Sequence, residues 1–171
     1  NFCAAACATT AESHGDSAAL SVLAGVLRNG FLHKTLREQG GAYGGGASHD
    51  ATNGVFRFYS YRDPHLLRTL SAFDESVDWV KSADIAFDLV EESILGLISS
   101  IDAPGSPAGQ ARQAFHHRLF GRTAEQRRQQ RLNILKVTVD DIKRVAHEHL
   151  HGSMARVVVT SESAAKQLPD S

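Results

Sequence analysis

The sequence predicts an α+β domain, a mainly antiparallel sheet with helices packed on one face. Three observations lead there. The elements read in the order strand, helix, hairpin, several helices, strand. Asn53-Gly54 separates two segments of strand character, and both residues accept positive φ, which favours a hairpin. Apolar side chains recur at helical spacing through most of the remaining chain.

In chain order, residues 1 to 10 are small and partly apolar, a candidate first strand. Glu12 to Asp16 is a polar connection ending in capping chemistry at Asp16 or Ser17. Leu20, Leu23, Leu27 and Phe31 then carry one helix through about Glu38. Gly25 and Gly30 lower its propensity, so tertiary packing must hold it. Ala42 to Asp50 and Val55 to Arg62 form the hairpin, with Phe56 and Phe58 facing the core. Asp63 is expected to cap a helix with Pro64 in its first turn, and Leu67, Leu70, Phe73, Val77 and Val80 are its apolar stripe. Asp84 opens another helix, with Val90, Ile94, Leu97 and Ile101 inward. After the Pro104-Gly105-Ser106-Pro107 break a helix runs to Phe120 and stops at Gly121. Thr123 and Gln126 make a capping box for an arginine-rich helix through Lys136. Thr138 caps the next, stopped after His151 by Gly152. Met154 to Thr160 is the last strand, followed by a polar tail.

The chain has 171 residues, of which 42% are hydrophobic and 22% charged. That suffices for one core, so residues 1–171 are read as a single domain. A formal net charge of −1 gives no nucleic-acid footprint and no polybasic membrane patch. No apolar run approaches the roughly 18 residues of a membrane span. Neither nucleic acid nor membrane is therefore an expected partner. The opening Asn1-Phe2-Cys3-Ala4-Ala5-Ala6-Cys7-Ala8 lacks the features of a signal peptide and reads as a chain starting inside a strand, cut from something longer. Cys3 and Cys7 are too far apart on a strand to bridge. They are expected as small buried hydrophobes in a reducing compartment.

The stretch that suggests a site is Leu36-Arg37-Glu38-Gln39-Gly40-Gly41-Ala42-Tyr43-Gly44-Gly45-Gly46. Five glycines within seven positions let a ligand approach the backbone closely. Arg37 and Tyr43 frame that opening with a guanidinium and a phenol, both hydrogen-bond donors. The run fails both phosphate-loop templates, because it leads into a strand and no lysine follows. His147-Glu148-His149-Leu150-His151 satisfies His-Glu-x-x-His. It sits in a last helical turn, where histidines offset the helix dipole, and only Glu162 and Asp170 follow as carboxylates. A solvated helix end is the favoured reading. Arg122 to Arg131 reads as a solvated helix face.

Arg-Glu-Gln-Gly-Gly-Ala-Tyr-Gly-Gly-Gly followed by Gly-Val-Phe-Arg-Phe-Tyr-Ser-Tyr-Arg-Asp-Pro resembles the presequence-protease branch of the pitrilysin/insulysin zinc metallopeptidases. The resemblance covers most of the chain and is densest between Leu36 and Pro64. It implies the C-terminal domain, last of four homologous α+β domains, in a peptidase several domain lengths longer than this chain. Such enzymes close two halves around short unfolded peptides. Zinc is then held by the N-terminal half, outside this chain, and this fragment holds none and is inactive alone. The resemblance assigns Arg37 and Tyr43 as catalytic donors to the substrate, with Gly41, Gly44 and Gly45 lining the substrate. It implies a bacterial cytoplasm or, in a eukaryote, the mitochondrial matrix. No inverted His-x-x-Glu-His occurs in the 171 residues. Two further readings are a catalytically silent homologue serving binding or assembly, and an independent zinc peptidase using His147, Glu148 and His151.

Overall fold

A computed structural model describes residues 1–166 and 168. Four antiparallel strands, β1 (Phe2–Ala8), β2 (Gly44–Asp50), β3 (Val55–Tyr61) and β4 (Ala155–Val159), lie in the order β2-β3-β1-β4. Strand alternation sorts their side chains onto two faces. Cys3, Ala5, Ala47, Phe56 and Phe58 are buried on one face, while Phe2, Tyr59, Tyr61, Val157 and Val159 stand exposed on the other. The register sets Phe2 opposite both Tyr61 and Val159, so these form one continuous outer surface.

The helices cover the inner face. Among the described residues they are α1 (Ser17–Leu27), a π-helical continuation Arg28–Glu38, α2 (Leu67–Ser82), α3 (Phe87–Asp102), α4 (Pro107–Leu119), α5 (Ala124–Ile134), α6 (Val139–His149) and one short turn, α7 (Glu162–Ala165). α1 is the axis of the core: Leu20, Val22, Leu23, Val26 and Leu27 are wholly buried, as expected of a helix that is apolar all round. Phe56, Phe58 and Phe73 stack through the core, with successive ring centroids 5.4 and 5.6 Å apart. The two helical glycines are explained by packing. A Cβ on Gly30 would lie 2.5 Å from the Trp79 ring and 2.7 Å from Leu89, and one on Gly25 would press on Ser93 at 3.0 Å. They admit α2 and α3 to the helix surface. Among the described residues no helix is long and apolar enough to cross a membrane.

Several local expectations hold. Gly54 takes φ +64° in the hairpin, and Asp50 accepts the Thr52 and Asn53 N–H groups beneath it. The expected capping box forms at Thr123 with Gln126, and the Thr138 cap is present, completed into a second box by Asp141. Other boundaries are corrected. The first long helix does not stay α-helical to Glu38 but widens at Arg28. Asp63 and Pro64 do not start a helix; α2 begins at Leu67, and the Asp63 side chain is turned inward. α3 begins at Phe87, after Asp84. α6 ends at His149, before His151. Leu67 and Ile101 are exposed, outside the apolar stripes expected of them. Asp16 stands at the start of α1 but makes no side-chain cap.

The Asp16 carboxylate instead ties α1 to α6. It accepts a hydrogen bond from Arg144 at 2.7 Å and meets His149 Nε2 at 2.8 Å. The Arg144 bond holds its carboxyl down to about 2, against an ordinary 3.8. A depressed carboxyl pKa contributes stability in full above the unfolded value and loses it as pH falls through the folded one. Arg144→Ala is therefore expected to lower stability at about pH 5 and to converge on the wild type towards about pH 2. Urea unfolding as a function of pH checks this, and a gap that persists undiminished at acid pH would refute the coupling.

Candidate functional site

The glycine-rich turn is built by the end of the π-helical stretch. The Gln39 N–H donates to Lys34 O five residues back, at 3.0 Å, the spacing that defines a π-helix. Gly41 N–H then donates to Arg37 O, and Ala42 N–H to Leu36 O, each at 3.0 Å. Gly41 adopts φ +75° and turns the chain towards the sheet. Leu36 and Ala42 are buried, which anchors both ends of the turn, while Arg37 stays exposed between them. Tyr43 N–H donates to Arg62 O at 3.3 Å, extending the β2–β3 ladder by one pair.

Tyr43 is 63% exposed yet held on two sides. Its ring centroid lies 5.8 Å from that of Tyr61, and the Arg62 guanidinium sits 5.2 Å from it. That cation–π contact fixes one side of the ring while most of the residue stays accessible. Arg62 occupies the left-handed region at φ +49°, a conformation that a non-glycine residue keeps only when its neighbours impose it. The neighbour here is Asp63, 3% exposed. Its carboxylate accepts hydrogen bonds from the Ser60 hydroxyl, from Thr69 Oγ1 at 2.7 Å and from the His65 N–H at 2.9 Å. Arg62, Asp63 and Tyr61 thus support Tyr43, and nothing in their residue types announced that role.

The glycines have separate uses. A Cβ on Gly44 would run into the Tyr61 ring, and one on Gly45 would lie 2.8 Å from Leu36 and 2.9 Å from Tyr59 O. Because 43 and 62 form a hydrogen-bonded pair, the alternation directs the Gly44 and Gly46 backbone groups away from β3. β2 is an edge strand, so those groups of the half-buried Gly44 face its open side, while Gly46 is buried. Gly41 and the exposed Arg37 and Tyr43 belong to the same turn of the chain.

The remaining candidates separate. His151 lies beyond the end of α6, so His147 and His151 are not one helical turn apart. Glu148 is paired with Arg144 at 2.8 Å. Among the described residues, Asp16, Glu148 and His149 could converge on a cation, but both carboxylates already hold the Arg144 guanidinium. The guanidinium thus already supplies the positive charge of this cluster. Asp170 lies outside the described residues. His49 is a half-buried structural histidine, its Nε2 3.1 Å from Thr10 O and its Nδ1 3.0 Å from Ser21 Oγ, with partial burial pushing its pKa down. Burial raises both cysteine thiols, which makes them poor nucleophiles.

Against known proteins, residues 9–162 match the family model described as PreP C-terminal domain. The chain belongs to the PreP C-terminal domain family. Among relatives of this PreP-type domain, the mitochondrial presequence protease of Yarrowia lipolytica is 44% identical over 138 residues, 81% of this chain and 14% of that protein. The mitochondrial presequence protease of Xenopus laevis is 38% identical over 142 residues, 83% of this chain and 13% of that protein. The chain thus spans a small fraction of the length of these relatives. Two solved structures share the PreP-type fold: the peptidase M16 inactive domain from Pseudomonas fluorescens, TM-score 0.70 at 17% identity over 91% of this chain and 39% of that one, and pitrilysin, TM-score 0.58 at 17% identity over 87% and 17%.

Because Gly41 stands at φ +75°, Gly41→Ala is expected to cost about 1–2 kcal/mol of stability. Urea denaturation measures this, and an unchanged midpoint would show that the turn relaxes freely.

Proposed function

We propose that this domain works within a longer zinc peptidase of the presequence-protease kind, lending Arg37 and Tyr43 to a reaction centre whose metal ligands lie elsewhere in the protein. The observation that carries this reading is the pairing of two exposed donors around one turn, each positioned by buried neighbours. The relatives are named presequence proteases, and the Pseudomonas fluorescens neighbour is described as an inactive domain. Both agree with a domain that completes a site without holding the metal.

When bound in the other half, zinc supplies the polarisation and the activated water that peptide hydrolysis requires. This chain contributes positioning and charge stabilisation. The Arg37 guanidinium and the Tyr43 hydroxyl donate hydrogen bonds to the scissile carbonyl oxygen, or to its neighbour, as negative charge builds on it. Arg62 supports that role by holding the Tyr43 ring in place through its cation–π contact. Gly41 and Gly44 keep the turn free of side chains, so that the backbone of a short unfolded peptide comes close, while Gly45 serves the turn indirectly by making room for Leu36 beneath. The N-terminal half of the same protein is the partner, and closure of the two halves excludes water. The relatives are named as mitochondrial, which supports the mitochondrial matrix as the compartment in a eukaryote; for a bacterium the proposed compartment is the cytoplasm.

In the full-length protein, Arg37→Ala and Tyr43→Phe are each expected to reduce peptide turnover on the order of a hundredfold while zinc content is unchanged. Peptide hydrolysis with parallel metal analysis tests this. Wild-type turnover in both variants would overturn the assignment.

A further inference from the structure

The segment from Pro107 to Ile134 carries six arginines and a single glutamate in a chain whose formal net charge is −1. It forms α4 and α5, and α4 buries none of its residues. Between them lies a groove of about 1310 Å³, larger than the roughly 300–1,000 Å³ of an ordinary small-molecule pocket. Two arginines fix its walls: Arg122 pairs with Glu12 and Arg131 with Asp102, while Arg127 donates to Arg122 O at 2.9 Å. Arg118 and Arg128 line the same groove, are exposed, and pair with no carboxylate among the described residues. Ile101 and Phe115 add an apolar strip, Phe115 being 63% exposed.

We propose that this groove binds an acidic peptide segment, its carboxylates on Arg118 and Arg128 and an apolar residue against Phe115. Free guanidiniums offer bidentate geometry to carboxylates, and arginine clusters beside an apolar strip are a recurring mode of acidic-peptide recognition. A concave trough with cationic walls suits an inserted chain; a lipid surface needs a projecting face. The groove is independent of Arg37 and Tyr43. It opens beside Glu12, which bonds the hairpin end at Ala51, whereas those residues stand at the Gly44 end of β2, about 20 Å of strand away.

Fluorescence anisotropy of the 171-residue chain with a short labelled peptide alternating glutamate and leucine tests the proposal. Micromolar binding is expected, weakened about tenfold or more by added salt and by the double variant Arg118→Glu/Arg128→Glu. Phe115→Ala should weaken it further, and Arg68→Glu, a charge reversal of an exposed arginine outside the groove, should not. A lysine–leucine peptide should not bind. The proposal is overturned if the double variant binds like the wild type. Tighter binding of a single-stranded oligonucleotide or of phosphatidylserine vesicles would overturn it too. So would sedimentation showing that the double variant abolishes a dimer of the chain.

Discussion

A carboxylate removed from water is costly unless its oxygens are hydrogen-bonded, and Asp63 meets that condition where three elements converge. It gathers Ser60 from β3, Thr69 from α2 and the N–H of His65 in the connection between them. The same residue exchanges backbone hydrogen bonds with Asn1 at the head of β1. The corner is over-determined, and Arg62 next to it is left in a backbone conformation it would not choose alone. From there its guanidinium reaches Tyr43. A buried polar knot on the helix side of the sheet thus sets the attitude of a ring on the rim.

The rim has a second support in the helix that leads to it. α1 is fixed by burial, and Gly25 and Gly30 let Ser93, Trp79 and Leu89 close on it. The backbone then widens into π winding before Arg37, as π segments often do near functional positions. Arg37 and Tyr43 thus flank Gly41 in the chain, one near a helix end and the other at a strand corner.

Features written in adjacent residues were legible in the sequence. The hairpin at Asn53-Gly54, the capping box at Thr123, the cap at Thr138, and the inward pair Phe56 and Phe58 depend on local spacing, and all appear. Features that need distant partners were not. Asp63-Pro64 has the form of a helix start, and only the proximity of Ser60 and Thr69 shows that the carboxylate is used inside. The apolar spacing to Phe31 fits an α-helix, and nothing in that spacing marks the change to π winding at Arg28. Arg122 reads as surface until Glu12, 110 residues away, folds beneath it. The residue types at the candidate site were readable, but their common role came from the resemblance, since spacing alone does not separate a donor pair from two solvated side chains.

The π-helical stretch also has a geometric effect. Rotation about a helix axis accumulates residue by residue, roughly 100° each in α form and less in a wider coil. The bearing of the Arg37 side chain is thus a sum over the eleven residues from Arg28 to Glu38. Rewinding a few of them into α form would swing the guanidinium around the axis while Leu27 stayed in the core. Coil width becomes a dial that aims one cation, just ahead of the turn at Gly41.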